Sequence, residues 1–273
     1  MTGNRKVSDQ VKDLYDSVGW TLVGDVTFDA QTSEDLRKAA KDYVSACRLR
    51  VLRHLPEGGQ RLLDMASGPI QYAEYLKYSE HFETRVCVDL SQRALDMAKA
   101  KLGTHGEYHA GDFLSLSIAP VDAAVSLHTL YHINKDQQEA AVRKLIALTK
   151  PGGIVVIVYS NPAYFVSAIF SPLRRLARII LRTQNDGETP KSIYFYRHPL
   201  KWWRQFSDLG HVDVYPWRTF STREQRMLFF DNWLGVRMLA TLFRLEDRFP
   251  RFFRAIGCYP MIVIRKHRRP IAG

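Results

Sequence analysis

The sequence predicts an α/β fold: a doubly wound, mostly parallel sheet of seven strands, with a helical N-terminal cap and helical insertions. Three observations predict it. Short runs of strand length alternate with helix-length amphipathic segments. The runs are almost continuously apolar, as strands buried on both faces are. Each of the first four ends on a polar residue, at the place where an open α/β sheet carries its ligand.

Taken in order, residues 1–59 are polar and expected to be helical near 8–17 and 33–55, as a cap or lid. The core, residues 60–160, holds expected strands at 61–65, 84–90, 107–112, 122–128 and 153–160, with helices at 70–78, 91–101 and 135–149 between them. The last helix is stopped by Lys150-Pro-Gly-Gly. Residues 161–273 are expected to finish the same sheet with strands in HVDVYPW and MIVIRK and a helix at 199–209, interrupted by insertions at 161–195 and 218–258. In the first insertion Ser171 and Pro172 are placed to open a helix over 172–182. In the second, Thr222 and Gln225 are placed as a capping box for a long helical segment, 222–245. The chain reads as one domain.

Composition bounds the function. With 273 residues and 46% hydrophobic content, the chain can bury a sizeable core and is not disordered. Cys47, Cys87 and Cys258 have neither metal nor disulfide spacing, the start carries no apolar signal region, and no run is long enough to span a bilayer. A cytoplasmic protein, either soluble or membrane-peripheral, is expected. The net charge of +11 is lopsided, because residues 161–273 hold 20 Lys and Arg against 8 Asp and Glu, and 17 of the 20 are Arg. Anionic partners on that side are expected: a phosphate-bearing substrate or an anionic membrane surface, with nucleic acid disfavoured for want of an RNA-binding module.

The strand ends form a set. Asp64 closes the first strand before the small-residue turn Ala66-Ser67-Gly68. Asp89, followed by Leu90, closes the second, where a carboxylate can accept both hydroxyls of a ribose. Asp112 and Phe113 close the third, suited to an exocyclic amine and a flat base. Leu127 and His128 close the fourth, and His132 follows in SLHTLYHI. At these residues the chain resembles the class I S-adenosylmethionine (SAM)-dependent methyltransferases. Their first loop has the pattern acidic-x-G-x-G-x-G, and this chain reads Asp64-Met65-Ala66-Ser67-Gly68-Pro69-Ile70, so the acid and the middle glycine match and the outer two do not. The resemblance implies SAM as cofactor: its amino acid end at Asp64–Gly68, its ribose at Asp89 and Leu90, its adenine at Asp112 and Phe113, with Leu127 beside it.

Within that family the chain is similar to bacterial small-molecule and sugar O-methyltransferases. The resemblance implies methyl transfer to a hydroxyl of a glycan or glycolipid-like intermediate, with His128 or His132 as base and Tyr15, Trp20 and Tyr131 near the acceptor. No metal is expected, because no paired carboxylates stand at a strand end. Rival readings are a methyltransferase for a lipophilic ring of quinone or polyketide type, an RNA methyltransferase, and a scaffold that keeps the fold without SAM. Oligomeric state is not legible.

Overall fold

The computed structural model describes residues 7–17, 20–23, 26–29, 34–164 and 194–268. Most of the first insertion, with the helix expected at 172–182, lies outside the described residues.

After α1 (Val7–Ser17) comes a two-stranded hairpin, β1 (Trp20–Val23) with β2 (Val26–Asp29), and then α2 (Lys38–Leu49). The hairpin corrects the expectation of an all-helical cap. Its signal is in the sequence: two alternating β-branched and aromatic runs separated by Gly24-Asp25.

The main sheet has seven strands: β3 (Gly59–Met65), β4 (Phe82–Asp89), β5 (Gly106–Ala110), β6 (Val121–Leu127), β7 (Thr149–Val158), β8 (Gly210–Arg218) and β9 (Tyr259–Lys266), in the order β5-β4-β3-β6-β7-β9-β8. The first five are parallel, and β9 runs antiparallel between β7 and β8. All seven expected strands are present. The strand order reverses at β3, which pairs with β4 on one side and β6 on the other, so the crevice of an open α/β sheet lies beyond the C-terminal ends of these strands.

Alternation along each strand divides the core. Leu63, Val155 and Ile157 face one apolar layer, closed by α5 (Lys135–Leu148) and a 3₁₀ segment, Leu200–Asp208. Leu62, Val156 and Val158 face the other, closed by α2 and α7 (Trp233–Arg248). Burial on both faces is why these strands read as unbroken apolar runs.

Three other expectations shift. The helix expected at 70–78 shrinks to α3 (Ala73–Leu76) with a 3₁₀ turn at Lys77–Ser79, because positive φ at Gly68 and Ile70 keeps the preceding residues out of helical geometry. Residues 200–208 are 3₁₀ rather than α-helical. The segment 222–245 breaks into α6 (Thr222–Leu228) and α7, followed by α8 (Pro250–Ile256). The capping box sits one residue earlier than expected: the Ser221 N–H donates to the Glu224 carboxylate at 2.9 Å, and the Ser221 hydroxyl accepts from the Glu224 N–H. Asn232 caps α7, accepting from the N–H groups of Leu234 and Gly235. The break requires Gly235, since a Cβ there would run into the Phe230 carbonyl.

A buried polar knot joins the N-terminal region to α7. Glu246, fully buried, accepts from Arg50 Nη1 at 2.8 Å, from the Tyr43 hydroxyl at 2.8 Å and from the Thr219 N–H at 3.1 Å. Arg50 Nη1 also donates to the Trp217 carbonyl, and Nη2 to Asp247. This cluster, in which Arg50 Nε alone is left without a hydrogen-bond partner, fixes α2 and α7 against the end of β8.

Candidate active site

The turn after β3 is built around an unusual backbone. Ala66, Gly68 and Ile70 have φ of 58°, 55° and 49°. These are the three positions at which the class I loop carries glycine, so the chain keeps the left-handed geometry with alanine and isoleucine in two of them. Ile70 is held there by burial against Cys87, Leu95 and Ala98. Ala66 leaves the turn open toward the strand ends.

Asp89 is the half-buried carboxylate of the site. Its oxygens accept the N–H groups of Gly68 and Ser91, each at 2.9 Å, which ties the first loop to the end of β4. Burial raises its pKa, and although those two N–H groups pull it back, it stands at about 6. The Ser91 hydroxyl caps α4 (Gln92–Leu102) and bonds Asp16 of α1 at 2.6 Å.

Asp112 accepts the Leu114 N–H at 2.9 Å in an Asx turn that presents Phe113. The Lys144 ammonium gathers the carbonyls of Phe113, Leu114 and Leu116 and lies 5.1 Å from the centre of the Phe113 ring. The loop after β5 is thereby fixed.

These groups converge on one cleft of about 580 Å³, open to solvent on one side, lined by Ala66, Asp89, Leu90, Asp112, Phe113 and His132 together with Met65, Val88, Thr129, Ile133 and Asn134. Six of the residues expected from the sequence therefore meet here. From the N-terminal region Val7 and Val11 of α1 line it; the side chains of Tyr15 and Trp20 lie outside the described residues. The apolar face of α1 carried that signal in its spacing of four.

Other expected residues sit elsewhere. Asp64 is buried in an ion pair with Arg85, whose Nε donates to it at 3.1 Å, so it braces β3 against β4. Ser67 and Gly68 form the loop backbone without lining the cleft. Leu127 packs with the α2 and α7 layer. Tyr131 is buried against Tyr159, His132 and Phe195, the position of a core aromatic. His132 lines the cleft, with Nδ1 2.9 Å from the Tyr194 carbonyl.

His128 stands at the end of β6 with φ of 58°, beside the cleft residue Thr129. Its ring packs edge-on against Trp217 (4.7 Å between centroids) and Tyr259 (5.0 Å), at the ends of β8 and β9. Burial, helped by the positive charge of Arg218, lowers its pKa to about 3, so it is neutral throughout the physiological range.

A cluster that sequence reading missed surrounds it. Glu34 bridges Arg218 (2.8 Å) and Arg48 (2.9 Å); Arg48 also pairs with Glu74 and lies 3.4 Å over the Tyr72 ring. Burial opposes the ionisation of Glu34, yet Arg218 and Arg48 hold its pKa down to about 2. These residues come from four separate stretches of chain, and no local pattern links them.

Among the described residues, no cluster of three or more His, Cys, Asp or Glu is arranged to hold a metal. No helix there is long and apolar enough to cross a membrane.

The residues fit SAM. The left-handed turn leaves Ala66 rather than a bulky side chain on the cleft wall, Asp89 presents a half-buried carboxylate there, and Phe113 presents an aromatic ring.

Comparison with known proteins agrees. Residues 63–157 match the family described as "Methyltransferase domain". No curated protein matches the chain in sequence. The N-methyltransferase NodS from Bradyrhizobium japonicum WM9, solved with S-adenosyl-L-homocysteine (SAH), is similar with a TM-score of 0.54 at 12% identity, over 96% of this chain and 99% of that one. A putative methyltransferase solved with the Haloferax volcanii Trm112 methyltransferase activator gives 0.51 at 16% identity, over 85% and 95%. DhpI, in its complex with SAM and HEP, gives 0.50 at 15% identity, over 82% and 86%. At these identities the likeness to solved structures is one of fold. Its matched segment, its strand order and the cleft beyond its strand ends give residues 63–157 the core of a methyltransferase domain, within the Rossmann-like methyltransferase fold.

Proposed function

We propose that the chain methylates a hydroxyl group of a small-molecule biosynthetic intermediate, glycan- or glycolipid-like in character. The observation that carries this reading is the neutral His128 at the end of β6, next to the cleft and walled by Trp217 and Tyr259. Bound SAM supplies a methyl group activated on a sulfonium sulfur.

The chain's own work is alignment and proton removal. Asp89 holds the ribose end of the cofactor, and Phe113 and Asp112 hold its base. An acceptor in the cleft directs its hydroxyl to His128, whose ring is backed by the buried Trp217 and by Tyr259. The unprotonated imidazole accepts that hydrogen bond. As the carbon–oxygen bond forms and the carbon–sulfur bond breaks, the hydroxyl becomes strongly acidic, so even a weakly basic imidazole takes its proton and releases it to water. Glu34, Arg218 and Arg48 keep the wall in register and do not touch the reacting atoms.

The same aromatic wall favours, as a second reading, a lipophilic ring acceptor. Both readings are tested by following a radiolabelled methyl group from SAM to a panel of glycans, glycolipids and phenolic rings, each paired with its amine analogue. Transfer to hydroxyl compounds alone supports the proposal. Transfer only to the amines overturns it.

A further inference from the structure

The connection between β8 and β9 carries a surface that the methyl-transfer chemistry does not use. Its large apolar side chains point into solvent: Trp233 is 69% exposed, Phe230 64%, Phe252 58% and Phe249 53%. Such a concentration on one connection marks an interaction surface rather than scattered surface apolars.

The charge pattern identifies the partner. On α7, Arg237, Arg244 and Arg248 are exposed and recur at spacings of seven and four, which places them on one stripe. Leu234, Met238 and Leu245, also exposed, run along the flank of that stripe. Arg251 extends it onto α8. Among the described residues none of these four arginines forms an ion pair. The acids of the same connection are spent inward: Glu246 is buried on Arg50, Asp247 is clamped by Arg50 and Arg53, Glu224 is buried on Ser221, and Asp231 accepts the Ala39 N–H. The outward field is therefore cationic, interleaved with aromatic and aliphatic side chains.

We propose that the outer face of α6–α8 docks on an anionic lipid bilayer, with the arginines among the headgroups and Phe230, Trp233, Phe249 and Phe252 at the acyl boundary. Cationic stripes flanked by tryptophan, phenylalanine and leucine suit that interface, where headgroups neutralise the guanidinium while the stem stays apolar. A purely solvated basic face needs no exposed tryptophan or phenylalanine, and a polyanion such as RNA has no acyl region to receive four of them. This inference is independent of which acceptor is methylated.

The test is co-sedimentation of the full chain with vesicles of phosphatidylcholine alone and of phosphatidylcholine mixed with phosphatidylglycerol. Binding is expected to the mixed vesicles only, weakening as salt rises. The triple variant R237Q/R244Q/R248Q is expected to lose about 100-fold in partitioning. The pair Trp233→Ser and Phe252→Ser is expected to lose tenfold or more. All five positions are exposed and remote from the cleft, so unchanged SAH binding and thermal melting verify that both variants fold. Wild-type protein that stays in solution with anionic vesicles overturns the proposal, as does wild-type partitioning by either variant. Salt-sensitive RNA binding that survives the Trp233 and Phe252 changes, without vesicle binding, identifies a polyanion site instead. A concentration-dependent dimer abolished by Trp233→Ser, again without vesicle binding, identifies a second copy as the occupant.

Discussion

Ala66 and Ile70 flank Gly68 with the same left-handed backbone, φ 58° and 49°, although neither is glycine. The turn therefore stores strain of about 1–2 kcal/mol at each position. Ala66→Gly relieves it at a half-buried site, less the greater chain entropy of glycine, and should raise the free energy of unfolding by about 0.5–1 kcal/mol. Ile70→Gly also relieves strain but empties a buried site beside Cys87 and Leu95, and should lose about 2–3 kcal/mol net. Urea denaturation of the two variants measures both signs; a loss for Ala66→Gly would show that the alanine methyl is needed where it stands.

Asp89 titrates where function can feel it. Its pKa is raised to about 6, so the cleft holds a carboxylate above that pH and an acid below it. With ribose hydroxyls bound to the ionised form, SAH affinity should be constant above about pH 7 and fall as pH drops through 6. Sign follows from linkage: the ligand binds the deprotonated state, so a proton competes with it. Asp89→Asn should bind SAH at least tenfold more weakly and lose the pH dependence between 5 and 7. Calorimetric titration reads both effects.

For His128 the expected profile is flat. With its pKa depressed to about 3, turnover at saturating SAM should show no histidine limb between pH 5 and 8. His128→Ala should retain SAH affinity and reduce kcat, by about 10²–10⁴-fold for a lost general base. A limb near pH 6.5 in the kcat profile would transfer the proton-accepting role to another histidine, with His132 on the cleft wall the first to replace.

The knot around Glu246 should dominate stability. Glu246→Ala leaves Arg50 charged and buried without its principal partner, and strips acceptors from Tyr43 and Thr219. A loss of about 3–5 kcal/mol is expected in denaturant unfolding. Replacing exposed Arg53, which pairs with Asp247 at the surface, should change stability by less than about 1 kcal/mol.

Most of the sheet was legible in the sequence, as were several of the residues that line the cleft. The order of apolar runs and the residues terminating them, Asp89, Asp112 and His128, depend on local covalent neighbours: a strand buried on both faces must be apolar, and its end fixes where the next polar group stands. The turn residues Ala66 and Ile70 were legible as departures from a glycine pattern, but that they hold the glycine backbone was not, because φ at a strained position is decided by the packing that enforces it. Nor was the part of α1 legible, whose Val7 and Val11 line the cleft.

Only the tertiary structure decided which charges cancel. In the sequence Asp64 stands as a candidate ligand group and Glu34, Arg48 and Arg218 are anonymous; folding buries Asp64 on Arg85 and gathers the other three beside His128, whose pKa burial lowers with help from Arg218. It likewise buried Glu246, paired Asp247 with Arg50 and Arg53, and left Arg237, Arg244 and Arg248 facing out. Sequence determines where strands end and what their ends carry, since those are properties of neighbouring residues. Pairing between charges far apart in the chain depends on distances and burial that exist only once the sheet and its helices have assembled.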